Sequence, residues 1–275
     1  MTENNRLPTR YIPHGGGPCF FIKPEDMPPG MPSGVWDSMA DYLIGIDAMV
    51  GRRPKAVLVI TAHWLTPRPT FSVIQKPDLY YDYYNFPDYT YQLKYPVDGA
   101  PEVAARARAL LADAGIASDS DDTRGIDHGV FIPFLLIYPD ADVPIVAMSL
   151  QQDMNAAEHL AIGQALAPLR DENVLIVGSG MSFHNMRAMM TGTQDPASEQ
   201  FAAWLTDAAT APPEQRNAAL AAWEQATGAR ASHPVQAQEH LIPLMVAAGA
   251  ADSDVGKESF SDQLGGNRLS GYTFG

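Results

Sequence analysis

The amino-acid sequence predicts an α/β fold: a single domain over residues 1–275, with a central, mostly buried mixed sheet flanked by helices. Three observations predict it. The chain has 275 residues, of which 46% are hydrophobic, so it can bury a full core. Short apolar runs alternate with segments of helical pattern. Neither a repeat of fixed period nor a low-complexity linker divides the sequence, and one domain is therefore the simpler interpretation.

The strands are predicted by short, largely β-branched apolar runs. AVLVITAH (56–63), VPIVAMSL (143–150) and NVLIVGSG (173–180) are each typical of a strand buried on both faces. RYIP (10–13) indicates an earlier strand, directly before a glycine-rich turn. These four runs are expected to form the centre of the sheet.

Helices are predicted between and after the strands. The segment at 101–115 opens with proline and closes with glycine, and the segment at 156–170 ends in arginine before a strand. Further helices are predicted at 198–209, 217–228 and 234–249. This alternation places helices on both faces of the sheet.

The segment at 80–96, YYDYYNFPDYTYQLKYP, does not follow this pattern. It holds seven of the chain's eleven tyrosines. One interpretation is an aromatic excursion that packs against the body of the protein or a second subunit. The other is a loop over a site for an aromatic substrate, because tyrosine offers rigid apolar area with a polar tip.

Composition excludes several classes of function. The formal net charge of −14 argues against nucleic-acid binding and against anionic membrane surfaces, since both need a clustered basic surface. The single cysteine, Cys19, excludes an intrachain disulfide and a thiolate-rich metal site, so a metal must use imidazole and oxygen ligands. No apolar run reaches 18 residues and MTENNRLPTR has no signal-peptide pattern, so we expect a cytoplasmic protein.

The histidines carry the main functional signal. His14 precedes three glycines, His63 ends one predicted strand, and His184 follows another. His128 lies in a glycine-flanked turn before an apolar run. Ligands of open α/β sheets bind beyond the carboxyl ends of the strands, so these side chains are expected to converge on a metal or catalytic site. Taken singly, each is more typical of a hydrogen-bonded structural histidine, and His159 is interpreted as an ordinary helix residue.

Other enzyme motifs are weak or missing. GSGMSFH does not match G-x-S-x-G, although HGGGP is similar to the oxyanion loop of esterases, so a serine hydrolase is only a minor alternative. The sequence contains no phosphate-binding P-loop motif and no H-E-x-x-H. Nucleotide-dependent chemistry therefore has no support in the sequence.

Taken in order, several motifs resemble one known family. They are PHGGGP, TAHW, FPDYTYQLKYPVDGAP, GIDHGVFIPF, YPDADVPIVAMSL, GSGMSFHNMR and QEHLIPL. Together they resemble the class III extradiol ring-cleavage dioxygenases, in the 4,5-DOPA dioxygenase branch of the LigB-like superfamily, over residues 14–249. The resemblance implies a compact α/β domain, a non-haem Fe(II) or Zn(II) site and a catecholic substrate.

The resemblance also implies a set of metal ligands. His14 and His63 match two of them, and the third falls at the Glu-His pair that precedes LIPL. In the DOPA-type pattern it is His240, whereas in relatives with a two-histidine, one-carboxylate site it would be Glu239. Fe(II) is the expected metal, with Zn(II) as the alternative.

Further residues are expected to act on the substrate. The resemblance makes His184 either another zinc ligand or the acid and base of catalysis, and it makes His128 a second histidine facing the substrate. Arg187 is a candidate partner for a substrate carboxylate, because arginine can pair with it in a bidentate manner. Gly16 and Tyr89 complete the predicted substrate-binding set.

Together these observations predict an Fe(II)-dependent extradiol dioxygenase that opens a catecholic ring with both atoms of O2. The substrate is expected to carry a carboxylated side chain, as DOPA or a lignin-type phenolic acid does. A zinc-bound member of the same fold, acting as a hydrolase or binding protein, is the alternative. The predicted partners are a small aromatic substrate and O2, without nucleic acid or membrane, and assembly into a homo-oligomer is left open.

Overall fold

The computed structural model describes residues 6–27 and 31–275, and within them eight strands form one sheet. The strands are β1 (Thr9–Pro13), β2 (Ala56–Thr66), β3 (Thr70–Ser72), β4 (Asp119–Asp121), β5 (Ile145–Gln151), β6 (Val174–Gly180), β7 (Gly256–Leu264) and β8 (Asn267–Phe274). Their order in the sheet is β4-β3-β5-β2-β6-β1-β8-β7. Neighbours from β5 to β1 are parallel, whereas β8 pairs antiparallel with β1 and β7. The predicted mixed sheet is confirmed.

Helices cover both faces of this sheet. They are α1 (Asp37–Ile44), α2 (Ile46–Val50), α3 (Pro101–Asp113), α4 (His128–Ile137), α5 (Ala156–Leu166), α6 (Met186–Thr191), α7 (Pro196–Thr210), α8 (Pro213–Ala221), α9 (Ala229–Ser232) and α10 (Ile242–Ala250). α1 and α4 enclose one core, and α3, α5, α7 and α10 enclose the opposite side. In the described part of the chain, none of these helices combines the length and apolar character needed to cross a membrane.

The parallel strands at the centre of the sheet set the position of the site. β1, β6 and β2 are neighbours in register, with Pro13 opposite Gly180 and Thr61 opposite Ser179. Their side chains are almost fully buried, which fits the continuous apolar runs of the sequence. Because the three strands run in the same direction, the residues at their carboxyl ends meet at one edge of the sheet.

Two predicted helices have different limits in the structure. The helix predicted at 234–249 begins only at Ile242, so Glu239 and His240 lie in a turn before it. Pro243 explains this limit, since proline lacks an N–H and is tolerated in the first turn but not in a helix interior. The helix predicted at 217–228 is α8, which begins earlier, at Pro213, and already ends at Ala221, before a short 3-10 turn at Trp223–Gln225.

The tyrosine-rich segment packs against the body of the protein, as one of its two interpretations predicted. The hydroxyl of Tyr83 donates to the carbonyl oxygen of Thr90 at 2.8 Å, and that of Tyr95 donates to Tyr138 at 3.0 Å. Tyr84, in contrast, is 75% exposed. The polar tips of the tyrosines thus hold the segment in a defined position.

His159 is a structural residue of α5, in agreement with its interpretation from sequence. The ring is fully buried. Its Nδ1–H donates to the carbonyl oxygen of Asn155 at 2.7 Å, and its Nε2 accepts from the backbone N–H of Gln151 at 3.1 Å. Both ring nitrogens are therefore used by a neutral imidazole.

Burial lowers the pKa of His159 below its ordinary value, and hydrogen bonding to Asn155 opposes this only in part. The unfolded chain binds a proton below pH about 6.5 that the folded ring does not, so this contribution to stability is present above that pH and is lost as the pH falls. We expect His159→Gln to lower the free energy of unfolding by about 1–3 kcal/mol at pH about 8. The reason is that glutamine cannot reproduce both buried hydrogen bonds of the ring, to Asn155 and from Gln151. Urea unfolding at pH about 8 and about 5.5 should then show a shallower pH dependence than in the wild type. An unchanged pH dependence would contradict the assigned role.

Gly180, the last residue of β6, lies directly against the turn that carries His240. A Cβ atom at Gly180 would lie 2.0 Å from the carbonyl oxygen of His240. This distance is far inside van der Waals contact, and the obstacle is backbone that cannot rotate away. Glycine at this position therefore allows the turn to reach the edge of the sheet.

Gly180→Ala tests this close approach. We expect the substitution to destabilise the protein by about 2 kcal/mol or more, since overpacking forces the backbone to move. Gly16→Ala is the matched control, because a Cβ there meets no atom within 4 Å and the backbone is not in the left-handed region. Thermal unfolding of both variants measures the difference, and equal melting temperatures would show that the turn is not held by this contact.

Candidate metal centre

Three histidines meet at the carboxyl edge of the parallel strands. His14 directly follows β1, and its backbone N–H donates to Gly180 at 3.2 Å. His63 lies in the last part of β2, where the pairing with β5 is interrupted by a shift in register. The carbonyl oxygen of His240 accepts from the hydroxyl of Tyr11 at 2.7 Å and from the backbone N–H of Met181 at 3.1 Å. Two strands and one turn thus fix three rings independently.

The three rings form a nearly equilateral triangle. The ring centroids of His14 and His63 are 4.9 Å apart, those of His63 and His240 are 4.8 Å apart, and those of His14 and His240 are 5.1 Å apart. One ring nitrogen of each lies within 4.8 Å of the other two. This arrangement leaves room for a single ion between the rings.

The Nδ1 atoms of these rings face oxygen atoms. His14 Nδ1 lies 2.9 Å from the carbonyl oxygen of Gly15, and His240 Nδ1 lies 3.0 Å from Glu239 Oε1. Because both oxygens only accept, each Nδ1 carries the hydrogen and each Nε2 keeps a lone pair in the neutral ring. His63 Nδ1 lies 3.5 Å from a carboxylate oxygen of Asp82. An oxygen behind a ligating imidazole is the usual arrangement at metal sites.

The electrostatics keep the three rings neutral. Burial lowers the pKa of His14 and of His240 well below the ordinary value, and the neighbouring imidazoles lower both further. Burial and the ring of His128 lower the pKa of His63 to about 3. In the described part of the chain, Nε2 of His14 and Nε2 of His63 are buried without a hydrogen-bond partner. Neutral, buried and unpaired nitrogens fit a divalent cation that prefers imidazole.

His128, at the first position of α4, lies beside this triangle. Its ring centroid is 4.0 Å from that of His63. Asp82 Oδ1 accepts from His128 twice, from the backbone N–H at 2.9 Å and from Nδ1 at 2.8 Å. The ring of Tyr83 contacts it edge-on, at 5.9 Å between centroids. The tyrosine-rich segment thus reaches the site through Asp82 and Tyr83.

His184 lies on the other side of the triangle and stacks on His240, with 3.5 Å between ring centroids. Its Nδ1 is 3.3 Å from Glu239 Oε1, but the geometry is not that of a hydrogen bond. Glu239 groups with these two histidines and not with His14 and His63. Of the two alternatives for the third position, the structure brings His240 into the triangle and places Glu239 behind it.

The glycines after His14 have separate structural reasons. Gly15 and Gly17 adopt φ of +76° and +53°, which favour glycine. A Cβ at Gly15 would also meet the sulfur of Cys19, and one at Gly17 would meet the ring of Phe86. Gly16 alone is exposed with open space around it. Only Gly16 therefore leaves backbone open to a ligand.

The other two predicted substrate residues lie in different surroundings. Arg187 is exposed on α6 and makes no ion pair with another described residue. Tyr89 faces the N-terminal region: its hydroxyl donates to Asp26 at 2.9 Å and accepts from the backbone N–H of Lys23 at 3.0 Å. The structure does not bring Tyr89 together with the histidines through any described contact.

A buried polar network supports the end of β2 and was not predicted. Asp127 accepts from the hydroxyl of Thr61 at 2.7 Å and pairs with Arg124 at 2.9 Å. Arg124 also donates to the carbonyl oxygen of His63 at 3.1 Å. A Cβ at Gly129 would lie 2.9 Å from the ring of His63, so glycine lets α4 approach it. The signals in the sequence were the Asp-His-Gly triplet and the arginine before it, which pattern alone cannot connect to residue 61.

Asp82 was also not singled out from sequence. The available signal is one acidic residue within YYDYY, at the centre of an aromatic segment. Its partners, His63 and His128, are distant in sequence and are brought together only by the fold.

Comparison with known proteins identifies the family. The family described as the catalytic LigB subunit of aromatic ring-opening dioxygenase matches residues 10–272. The chain is 40% identical to dioxygenase tasH of Hapsidospora irregularis, over all of this chain and 87% of that protein. It is 38% identical to the 4,5-DOPA dioxygenase extradiol of Beta vulgaris, over 82% of this chain and 83% of the relative.

A solved structure agrees with this result. The crystal structure of an uncharacterized protein from Escherichia coli K12 superimposes with a TM-score of 0.74 at 26% sequence identity, over 98% of this chain and all of that one. The family match, the sequence relatives and the structural similarity each extend over most of the chain. The protein therefore belongs to the LigB family of aromatic ring-opening dioxygenases and is an enzyme of the extradiol ring-cleaving class.

Proposed function

We propose that the protein is an Fe(II)-dependent extradiol dioxygenase that opens a catecholic ring and incorporates both atoms of O2. The observation that carries the proposal is the triangle of neutral imidazoles of His14, His63 and His240, of which His14 and His240 are buried and His63 is largely buried. These three rings would hold the metal through Nε2. The relatives that bear the name 4,5-DOPA dioxygenase extradiol support a catechol with a carboxylated side chain as substrate.

Iron suits this ligand set and this reaction. A ferrous ion held by His14, His63 and His240 would supply the redox chemistry that lets O2 react with a catechol. Because the three histidines carry no charge, they would leave the positive charge of a bound ion available to attract an ionised catechol. The buried surroundings of His14 and His240 strengthen this attraction, because little water screens it.

His184 and His128 are the proposed acid and base, with His184 ranked first. His128 donates Nδ1–H to Asp82 and therefore presents a lone pair at Nε2 when neutral. His184 is 14% exposed in its side chain and stacks on His240, which places it beside the proposed metal position. One ring accepts a proton from a catechol hydroxyl, and a ring proton is returned to oxygen as the carbon–carbon bond opens.

Substrate orientation is assigned to the exposed side of the site. Arg187 follows His184 by three residues and its charge is free to pair with a carboxylate. The open space at Gly16 lets the ring approach the backbone beside His14.

A zinc-bound protein without oxygenase activity is the second candidate. The observation that favours it is the ligand set itself, because three imidazoles suit Zn(II) as well as Fe(II). Such a protein would serve as a hydrolase or a binding protein.

Anaerobic loading with Fe(II), followed by oxygen-uptake and absorbance measurements, tests the function. We expect the protein to open the ring of one of four catechols: DOPA, caffeate, protocatechuate or gallate. One molecule of O2 should be consumed for each molecule of catechol, and the ring-opened product should absorb visible light. Zinc-loaded protein is the control and should consume none, since Zn(II) has no redox chemistry. If the iron-loaded protein is folded and still leaves all four catechols intact, the zinc-bound protein becomes the favoured candidate.

His184→Ala and His128→Ala separate catalysis from metal binding. We expect both variants to keep near-normal iron content, while turnover falls by about 10² or more, the usual scale for positioned acid–base groups. Iron content by elemental analysis and turnover by oxygen electrode measure the two effects. An iron-free His184→Ala protein would show instead that His184 is a ligand.

A further inference from the structure

Asp82 lies between two histidines that have different proposed roles. Its Oδ1 accepts from the Nδ1 of His128 at 2.8 Å, and its Oδ2 is 3.5 Å from the Nδ1 of His63. The carboxylate side chain is only 11% exposed. One buried carboxylate therefore faces both a proposed metal ligand and a proposed acid–base residue.

Glu239 repeats this arrangement on the opposite side. Its Oε1 lies 3.0 Å from the Nδ1 of His240 and 3.3 Å from the Nδ1 of His184. The stacking of these two rings, at 3.5 Å, brings both Nδ1 atoms to the same oxygen. Again one carboxylate serves a ligand of the triangle and a histidine outside it.

We infer that Asp82 and Glu239 are positioning residues, each of which holds one metal ligand and one acid–base histidine in a fixed orientation. The inference rests on the proposed function for the roles of the histidines, and it assigns Glu239 away from the metal. Neither carboxylate touches the substrate. Asp82 accepts a hydrogen from Nδ1 of His128, and Glu239 accepts one from Nδ1 of His240. Each carboxylate also lies near Nδ1 of the second ring, at 3.5 Å for His63 and 3.3 Å for His184, where its negative charge favours a hydrogen on Nδ1 and leaves Nε2 to face the site.

The tautomer of each ring is the physical basis of this assignment. A neutral imidazole has one N–H, so a carboxylate at Nδ1 selects the form with a free Nε2 lone pair. If Nδ1 instead faced a donor, the hydrogen would move to Nε2, and that nitrogen could neither bind a metal nor accept a proton. Each carboxylate thus affects both the affinity of the site for a metal and the ability of an acid–base histidine to accept a proton at Nε2.

Asp82→Asn is the sharpest change. The amide oxygen can replace Oδ1 opposite His128, but the amide nitrogen then points a donor at His63 Nδ1. We expect zinc affinity, titrated against a chromophoric chelator, to fall about 10–100-fold, as for other groups that orient metal ligands. Asp88→Asn is the matched control, because Asp88 is an exposed aspartate of the same segment. Circular dichroism establishes that each variant is folded.

Glu239→Ala and Glu239→Gln form the second test. Loss of the oxygen in Glu239→Ala should lower zinc affinity about 10–100-fold, and Glu239→Gln should restore part of it, because the amide oxygen can still accept from Nδ1. Glu214→Gln, at an exposed glutamate of α8, is the control. If Asp82→Asn does not fold, this pair decides the question alone.

Two further readouts distinguish positioning from general stability. In zinc-loaded protein, ¹⁵N shifts of the histidine rings should show His128 and His184 protonated at Nδ1, and Glu239→Ala should change this pattern for His184. With saturating Fe(II), the variants should lose about tenfold or more in kcat while KM changes by about twofold or less.

The results can show separately whether the positioning role fails and whether the proposed reaction fails. Zinc affinity within about twofold of the controls in both Asp82→Asn and Glu239→Ala would overturn the inference. Weakened zinc binding together with no oxygen uptake by the wild type on any catechol would uphold it and reject the proposed reaction. Complete loss of zinc in both Glu239→Ala and Glu239→Gln, without rescue, would identify Glu239 as a ligand and overturn its positioning role.

Discussion

The structure depends on the burial of three imidazole rings within about 5 Å of one another. Rings this close cannot all be charged, since each would repel the others in a poorly solvated interior, and burial lowers the pKa of His14, His63 and His240 accordingly. The Nε2 atoms of His14 and His63 are buried and find no partner in the described structure, which is costly unless another group satisfies them. A bound cation resolves both problems at once.

The surrounding strands and turns hold these three rings close together. Parallel pairing of β1, β6 and β2 delivers His14 and His63 to the same edge of the sheet. The turn that carries His240 approaches β6 so closely that only glycine fits at position 180. The hydroxyl of Tyr11 and a backbone N–H bind the His240 carbonyl, which fixes the third ring without using its side chain. Each ring is thus positioned by backbone that has little freedom to move.

Much of this arrangement could be predicted from the sequence. Buried strands appear as continuous apolar runs, and the rule that ligands bind at strand ends brings His14, His63 and His184 to one region. The place of His240 followed from the family resemblance. The role of His159 followed from its helical surroundings, without glycines or a strand end nearby. These predictions use local pattern, which the short parallel strands and regular helices of this fold preserve.

The remaining features depend on contacts between distant segments, and local pattern carries no information about them. Asp82 acquires its importance only when the tyrosine-rich segment folds over His63 and His128. The start of α10 at Ile242 follows from a proline whose position was visible but outweighed by the apolar run around it. In the hairpin of β7 and β8, the first strand is mostly polar and two glycines form the turn, which is a weak signal beside the apolar runs of the central strands.

We propose that one metal ion lies between His14, His63 and His240, with Glu239 behind His240. The most direct test is a crystal structure of anaerobically prepared Fe(II)-loaded protein, with anomalous data at the iron absorption edge. We expect one anomalous peak in contact with Nε2 of all three histidines, and Glu239 on the Nδ1 side of His240. A peak bound to the Glu239 carboxylate, or one between His63, Asp82 and His128, would contradict it.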